Sequence, residues 1–287
     1  MTNPFIDTAK AAKAATDDRQ GRNRNWWEAK PMTYADWSSA DREPQTDEDF
    51  NALEAYVLRT GPWLKDWFGT QKFDGLRCLD LGSGSGIFSS MIGRRGGQVT
   101  AMDLTEAAVA LTRKTARFFG CTVDPVRSDA EHSPFRDGAF DFVFSWGVLH
   151  HTHDMDAALS EVGRILKPGG RGMMMVYHRI SVVYYVHGLF WLLAKGKVFQ
   201  GHTLQSVQDF YTDGFYHRYM TRRELAAMLG NAGLGVSRFF VTQYEKPILP
   251  GLPRRLDAWM KSMFGMCLIA EFEKPPQPGL SAAHAPE

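Results

Sequence analysis

The middle of the chain alternates between two patterns of apolar residues. Short apolar runs predict strands, and between them apolar residues recur three and four positions apart, as on one face of a helix. Positions 155, 158, 159, 162 and 166 form the clearest helical face, and glycines at 169 and 170 follow it. The runs that predict strands are residues 77–81, 98–104, 139–145, 172–177, 234–243 and 267–272.

This alternation of strands and helices predicts an α/β fold. Consecutive parallel strands are joined by right-handed crossovers through helices, so helices should cover both faces of a mainly parallel, Rossmann-like sheet. The alternation is interrupted between about residues 178 and 220, directly after the strand predicted at 172–177. Because open sheets of this class bind ligands at the carboxyl ends of their strands, the insertion is expected beside a binding site.

The two ends of the chain depart from this pattern. Residues 1–24 are polar and alanine-rich, which predicts a disordered segment or a loose helix, and the proline-rich residues 275–287 predict a disordered tail. The N-terminus has no apolar run behind a basic start, so a secretory signal is not expected. The longest apolar stretch, residues 182–194, is shorter than the roughly 20 residues that cross a bilayer.

Composition narrows the classes of function. The chain has 33 Lys and Arg against 32 Asp and Glu, a net charge of +1, which lacks the attraction typical of nucleic-acid binders. Its three widely spaced cysteines argue against a disulfide framework or a thiolate metal site and favour a reduced cytoplasm. Aromatic residues are abundant at 13%, and residues 76–176 hold only eight of them, so most lie in the flanking segments.

A glycine-rich loop joins the first predicted strand to the first predicted helix. Residues 79–86 read LDLGSGSG. Glycines let the backbone turn sharply and approach a ligand, while a helix N-terminus offers free N–H groups. A dinucleotide fingerprint would place its third glycine at position 87, where this chain has Ile87, and this weakens an NAD-binding interpretation. A turn without any ligand is the structural alternative.

Asp103 ends the second predicted strand, about 20 residues beyond Gly82. A carboxylate at this place in nucleotide-binding sheets accepts hydrogen bonds from both hydroxyls of a ribose. Its alternative role is to cap the helix that opens at Thr105, although capping does not explain the distance from the glycines. The loop and Asp103 together predict an adenosine-type ligand.

Five motifs follow one another in order along the chain. They are the glycine loop at 79–86, Asp103, SDAEHSPF at 128–135, FDFV at 140–143 and LKPGG at 166–170. Their order and spacing resemble the class I S-adenosylmethionine-dependent methyltransferases, in particular the small-molecule branch that includes quinone-biosynthesis enzymes. The resemblance covers residues 75–177 well and the last strands loosely.

The resemblance implies a seven-stranded, mainly parallel sheet with helices on both faces, an N-terminal helical lid and an insertion after the fifth strand. The methyltransferase domain would span residues 25–274. Its parts would be the lid at 25–75, the cofactor-binding half at 76–177 and the aromatic insertion at about 178–220.

The resemblance also implies the residues of a site for S-adenosylmethionine. The glycines would line the methionine part of the cofactor with Asp80 near its ammonium group, while Asp103 would hold the ribose and Asp129 the adenine amino group. Alternatively, Asp129 is a solvated loop carboxylate. Trp146 could likewise be an ordinary core residue. The predicted cofactor-binding residues are Asp80, Gly82, Ser83, Gly84, Gly86, Asp103, Leu104, Asp129, Ala130, Glu131 and Trp146.

Two adjacent histidines, His150 and His151, are the candidates for a catalytic base. They follow the strand predicted at 139–145, and an imidazole pKa near 6.5 suits proton removal at neutral pH. Adjacent side chains point in different directions, so at most one should face an acceptor, and a structural role is the alternative. No carboxylate or thiolate at helical spacing completes a metal site with them, so no metal is predicted.

The acceptor pocket is expected to come from the aromatic segments outside the cofactor half. A role in fastening the insertion to the core is the alternative for the run at 210–219. Residues 182–194 and 254–261 combine apolar and basic positions, which is typical both of lids over an apolar pocket and of helices at a membrane surface. The predicted acceptor-binding residues are Trp27, Tyr34, Tyr211, Tyr216, His217 and Arg218.

The sequence therefore predicts methyl transfer from S-adenosylmethionine to a hydrophobic or aromatic small molecule or a lipid-like precursor. O-methylation is favoured over C- or N-methylation, and a general base is needed only if the acceptor loses a proton. The alternatives are a cofactor-binding regulatory subunit without turnover and an NAD-dependent oxidoreductase. A cytoplasmic location is expected, with peripheral membrane contact as an option and no nucleic-acid partner.

Overall fold

The computed structural model describes residues 18–29, 44, 46–210, 217–242 and 251–276. Most of the predicted disordered ends, residues 1–17 and 277–287, lie outside the described residues, as do Tyr34, Tyr211 and Tyr216. Residues 18–24 belong to a helix.

The described residues form one mainly parallel sheet of eight strands in the order β3-β2-β1-β4-β5-β8-β7, with the short β6 paired to β5. Only β8 runs antiparallel to its neighbours β5 and β7 in this sheet. The strands are β1 Arg77–Leu81, β2 Gln98–Asp103, β3 Val123–Arg127, β4 Phe140–Trp146, β5 Leu166–His178, β6 Tyr219–Met220, β7 Gly235–Thr242 and β8 Cys267–Glu273. The prediction of an α/β, Rossmann-like fold is confirmed.

Helices surround the sheet, and several begin at residues whose side chains cap them. Thr221 and Glu224 form a reciprocal capping box at the start of the helix Arg222–Asn231, and Thr105 caps the helix Glu106–Phe118 by accepting a hydrogen bond from the Ala108 amide. The α-helices are α1 Asp18–Ala29, α2 Asp47–Thr60, α3 Pro62–Thr70, α4 Ile87–Gly93, α5 Glu106–Phe118, α6 Met155–Ile165, α7 Val182–Leu189, α8 Arg222–Asn231 and α9 Arg254–Phe264.

The hydrophobic core lies on both faces of the sheet. Successive side chains of a strand point to opposite faces, so in β1 Leu79 and Leu81 join one buried cluster while Cys78 joins the other. Burial on both faces explains why the strands read as continuous apolar runs. None of the helices among the described residues is long and apolar enough to span a membrane.

Two strands differ from the sequence prediction for physical reasons. The strand β3 was not predicted because its sequence, VDPVR, is short and contains Pro125, which an edge strand tolerates. The strand β5 begins at Leu166, so residues 167–170 belong to it and do not form the turn that their glycines indicate. The pairing of β4 with β5 shifts register between Phe140 and Phe142, which accommodates these extra residues.

The insertion leaves the sheet at the carboxyl end of β5 and returns to the same end. The two residues of β6 pair in parallel with β5, Tyr219 opposite Tyr177 and Met220 opposite His178. This short strand was too small to be predicted. It fixes the end of the insertion to the sheet edge at which β1, β2 and β4 also finish.

Candidate active site

A cleft opens at the carboxyl edge of the sheet, where the strand order turns from β1 to β2 on one side and to β4 on the other. Its empty volume is about 810 Å³, including the solvent at its mouth. Among the described residues, it is lined by Asn23, Trp27, Leu81, Gly82, Gly84, Met102, Asp103, Leu104, Thr105, Ala108, Ser128, Asp129, Ala130, Trp146, Gly147, Val148, His151 and Thr152.

The glycine loop forms one wall of this cleft. Gly82 has a φ of +79°, and a Cβ on it would lie 2.1 Å from a methyl carbon of Val148, so only glycine fits there. Gly84 also lines the cleft, whereas Gly86 does not. A Cβ on Gly86 would lie 2.6 Å from the Thr112 Cα, so this glycine permits the close packing of the loop on α5.

Asp103 connects the glycine loop to the next loop. One carboxylate oxygen accepts a hydrogen bond from the Gly84 amide at 3.0 Å, and the other accepts from the Thr105 amide at 3.0 Å and hydroxyl at 2.9 Å. Burial raises the pKa of Asp103, and these hydrogen bonds oppose part of the rise. A carboxylate has about four acceptor positions, so Asp103 can still accept a ligand hydroxyl while it orders both loops.

Two other residues of the loop face away from the cleft. Asp80 is buried beneath the loop and accepts a hydrogen bond from the Ser89 hydroxyl at 2.5 Å. Burial raises the pKa of Asp80 to about 7. Ser83 pairs its hydroxyl with that of Thr112 on α5 at 3.0 Å. Neither Asp80 nor Ser83 lines the cleft, so the structure places both as supports of the loop.

The turn after β3 brings Asp129 and Ala130 into the cleft but not Glu131. Asp129 accepts a hydrogen bond from the Glu131 amide at 2.9 Å, which holds the turn in place. Glu131 is buried on the other side, where its carboxylate accepts from the Asp154 amide at 3.0 Å at the start of α6. Burial raises the pKa of Glu131.

The adjacent histidines occupy different environments. His151 lines the cleft, while His150 is fully buried behind it, with its ring 4.0 Å from the rings of both His151 and Tyr177. Neither ring nitrogen of His150 has a hydrogen-bond partner among the described residues. Burial holds the pKa of His150 well below its ordinary value, and of the two rings it is His151 that lines the cleft.

Helix α1 covers the cleft and contributes a residue that the sequence analysis did not single out. The Asn23 side-chain amide donates to the His151 carbonyl at 3.0 Å, and the Trp27 ring lies 5.4 Å from the His151 ring. The Asn23 amide oxygen is buried, and no described residue donates to it. The sequence signal that could have identified Asn23 is its spacing of four residues from Trp27, because that spacing places both residues on one helix face.

Two other predicted acceptor residues that the structure describes do not line this cleft. His217 and Arg218 line a second, separate cleft that also includes Tyr184, Gln208 and Glu224. The Arg218 amide donates to the His150 carbonyl at 2.9 Å, and its guanidinium donates to the His153 carbonyl at 3.2 Å. Arg218 therefore supports the turn that carries His151. The described residues contain no group of three or more His, Cys, Asp or Glu placed to hold a metal ion.

Comparison with known proteins agrees with this geometry. A family model described as a methyltransferase domain matches residues 79–174, the segment that contains the glycine loop, Asp103 and both histidines. The chain is 32% identical over 172 residues to a ubiquinone biosynthesis O-methyltransferase from Xanthomonas euvesicatoria, covering 60% of this chain and 67% of that protein. It is 36% identical over 119 residues to the ubiquinone/menaquinone biosynthesis C-methyltransferase UbiE of Haemophilus ducreyi, covering 40% and 45%.

Solved structures share the fold. The geranyl diphosphate C-methyltransferase of Streptomyces coelicolor superposes with a TM-score of 0.57 at 15% identity, over 90% of this chain and 99% of that one. The chain belongs to the class I S-adenosylmethionine-dependent methyltransferases, and its cofactor is S-adenosylmethionine. Within that class it is similar to the small-molecule enzymes of quinone biosynthesis, and the alignments span about two thirds or less of the lengths of these two relatives.

Proposed function

We propose that this protein transfers a methyl group from S-adenosylmethionine to an oxygen atom of a hydrophobic, aromatic small molecule. One observation carries the proposal: the cleft that the glycine loop and Asp103 line is also lined by Trp27, Trp146 and His151. Aromatic rings bind flat apolar molecules, and an imidazole beside them suits an acceptor that loses a proton. The O-methyltransferase activity named for the Xanthomonas relative supports oxygen as the acceptor atom.

The cofactor fits the residues present in the cleft. Gly82 and Gly84 line the wall where its methionine part would bind, Asp103 has one acceptor position left for a ribose hydroxyl, and Asp129 lies beside Ala130 where the adenine would bind. When bound, S-adenosylmethionine supplies an electrophilic methyl group on a positively charged sulfur. Asp80, Ser83, Gly86 and Glu131 act from outside the cleft, by holding the loops that form it.

The protein's main contribution to rate is positioning and exclusion of water. Effective molarities of well-oriented reactants reach about 10⁵ M or more, so a wall that aligns the acceptor oxygen with the methyl group provides much of the acceleration. Helix α1 supplies part of this wall through Asn23 and Trp27. The Asn23 amide oxygen is buried in this wall, and no described residue donates a hydrogen bond to it.

His151 is proposed to take the proton of the acceptor hydroxyl as the new oxygen–carbon bond forms. Its backbone is fixed from two sides, because Asn23 binds its carbonyl and the Arg218 amide binds the carbonyl of the preceding residue, His150. Its ring packs edge-on against Tyr177 at 5.5 Å. A ring held in this way has little freedom to turn out of the cleft.

The experiment is methylation of cell extracts with the purified protein and methyl-labelled S-adenosylmethionine, followed by untargeted mass spectrometry. We expect a labelled, apolar aromatic product whose label is released by ether cleavage. A label on ring carbon, as in the UbiE relative, would contradict O-methylation but not methyl transfer. Binding of the labelled cofactor with no labelled product from any extract would favour a regulatory subunit. Titration with NAD under the same conditions tests the oxidoreductase alternative, for which no binding is expected.

A further inference from the structure

Arg179 holds the two ends of the insertion together. It follows β5 directly, and its amide donates to the Met220 carbonyl at 2.9 Å. Its guanidinium donates twice to the Tyr219 carbonyl, from Nε at 3.1 Å and from Nη2 at 2.9 Å. Tyr219 and Met220 are the whole of β6, so both residues of this strand accept hydrogen bonds from Arg179. The planar fork of a guanidinium allows one side chain to make such bonds in several directions.

Glu224 connects the same arginine to the next helix. One oxygen of its carboxylate accepts a hydrogen bond from Nη1 of Arg179 at 2.7 Å. The other accepts from the Thr221 amide at 2.9 Å and from the Thr221 hydroxyl at 2.7 Å, in the first turn of α8. The end of the insertion is therefore fixed both to its beginning and to α8.

The residue before β6, Arg218, binds the turn that carries His151. Its amide donates to the His150 carbonyl at 2.9 Å, and its guanidinium donates to the His153 carbonyl at 3.2 Å. These two carbonyls lie on either side of His151 in the chain, so Arg218 holds the turn at both ends. Arg218 is bonded covalently to Tyr219, and its position therefore depends on that of β6.

The pairing of β6 with β5 gives this arrangement little support by itself. It consists of Tyr219 opposite Tyr177 and Met220 opposite His178, whereas strands usually have roughly three to ten residues. Arg179 adds three hydrogen bonds to the two residues of β6. The rigidity of β6, and with it the position of the turn around His151, therefore depends on Arg179.

We propose that Arg179 is a positioning residue for methyl transfer, which keeps the His151 ring directed at the acceptor by way of Tyr219 and Arg218. The proposal rests on the proposed function, in which His151 is the base. Arg179 itself lines the second cleft and not the one that His151 lines. A residue outside the site can still control the rate, because displacing a catalytic group by about 1 Å can lower the rate about a hundredfold.

Hydrogen exchange of the purified full-length protein, read by NMR, tests the positioning without any acceptor. The His151 amide donates to the Val148 carbonyl at 2.8 Å and the Thr152 amide to the Leu149 carbonyl at 3.2 Å, so their exchange rates report how often this turn opens. We expect both amides to exchange about tenfold faster in Arg179→Gln, because the charged hydrogen bonds that hold β6 are lost. Unchanged exchange of both amides would overturn the proposal.

Two further variants make this test specific. Arg223→Gln is the matched control, since Arg223 is an exposed arginine in the same helix as Glu224, and its exchange should match the wild type. Arg179→Lys keeps the charge opposite Glu224 but loses the fork that binds the Tyr219 carbonyl, so its exchange should lie between the wild type and Arg179→Gln. Thermal unfolding shows which variants fold, and Arg179→Lys carries the test if Arg179→Gln does not. Equal acceleration in Arg223→Gln would also overturn the proposal.

Kinetics with the acceptor found in labelled extracts test whether Arg179 acts through His151. We expect Arg179→Gln to lower kcat about tenfold or more and to leave the KM for S-adenosylmethionine within about twofold of the wild type. In the His151→Gln background the same change should lower kcat less than about twofold, because the base that Arg179 positions is then absent. Equal fold-losses in both backgrounds would indicate a merely structural arginine and would overturn the proposal.

The two proposals fail in different ways. Faster exchange of the His151 and Thr152 amides in Arg179→Gln, with no methylated product from any extract, would remove the proposed function and leave the positioning of the turn intact. Product formation that falls in His151→Gln but keeps the wild-type rate in Arg179→Gln would remove the positioning role alone.

Discussion

Asp103 connects two loops of the cleft through a single side chain. It accepts the amide of Gly84 and both donors of Thr105, and it still borders the cleft. Helix capping and ribose binding were alternatives for Asp103 when only the sequence was considered. In the structure Thr105 caps α5 and Asp103 holds Thr105, so the carboxylate is not itself the cap. The carboxylate orders the two loops between which the cofactor would lie.

We predict that Asp103→Asn weakens S-adenosylmethionine binding by about tenfold or more, because the amide loses the charge-assisted hydrogen bonds that a carboxylate makes. Isothermal titration calorimetry measures the dissociation constant. Asp124→Asn is the control, since Asp124 is an exposed carboxylate on β3. Wild-type affinity in Asp103→Asn would show that this residue does not contact the cofactor.

The proposed role of His151 as a base can be tested by kinetic measurements. We predict that His151→Gln lowers kcat about a hundredfold or more and removes the low-pH decline of the rate, because a glutamine cannot accept the acceptor proton. Cofactor affinity should stay near that of the wild type. The comparison is with His132→Gln, an exposed histidine in the turn after β3. If the rate falls while the shape of the pH profile is kept, His151 positions the acceptor without removing its proton.

At the scale of elements, the position of α1 depends on contacts distant in sequence. The Glu28 carboxylate accepts hydrogen bonds from the amides of Glu106 and Ala107, both at 3.0 Å, and so binds the N-terminus of α5. Negative charge is favourable at that end of a helix because the unpaired amides and the helix dipole attract it. This contact and the Asn23 bond to His151 hold α1 over the cleft.

We predict that Glu28→Gln loosens α1 and speeds cofactor dissociation several-fold, in line with a helix-terminus charge worth about 0.3–1 kcal/mol. Stopped-flow displacement measures the dissociation rate, and hydrogen exchange of residues 18–29 should accelerate in parallel. Glu48→Gln, at the exposed start of α2, is the matched control. Unchanged exchange in residues 18–29 would mean that other contacts hold α1 in place.

At the scale of the whole molecule, the buried Asp80 makes folding depend on pH. Its pKa is about 7 in the folded protein against an ordinary value of 3.8. Between these two pH values the folded state binds more protons than the unfolded state, so the free energy of unfolding decreases as the pH rises. The stability that protonated Asp80 contributes is fully present below pH 3.8 and is lost as the pH passes through about 7.

We predict that Asp80→Asn removes this component, because the amide stays neutral at every pH. Urea unfolding at pH 5 and pH 8 should show the wild type losing more stability between the two values than the variant, by up to roughly 1.4 kcal/mol per pH unit. The difference between the two proteins isolates Asp80 from the other buried groups. Equal losses in both would show that Asp80 is ionised throughout this range in the folded protein.

Local pattern was enough to predict the order of most strands and helices, the glycine loop and Asp103, because periodicity and short spacings are properties of neighbouring residues. The same reasoning could not separate Gly82 and Gly84, which line the cleft, from Gly86, which packs on α5, since all three belong to one repeated motif. It also missed β3 and β6, which are short and gain their pairing from the rest of the sheet.

Contacts between distant parts of the chain needed the folded molecule. Asn23 and His151 are 128 positions apart and meet because α1 lies across the sheet edge, which no local pattern encodes. The direction in which α7 faces is another case. Its residues 182–189 read as apolar all round, which suits a lid and a membrane surface equally. Because Gly188 has no Cβ, residues 204–208 pack directly on the helix backbone there. The opposite face of the helix, with its large side chains, is therefore exposed.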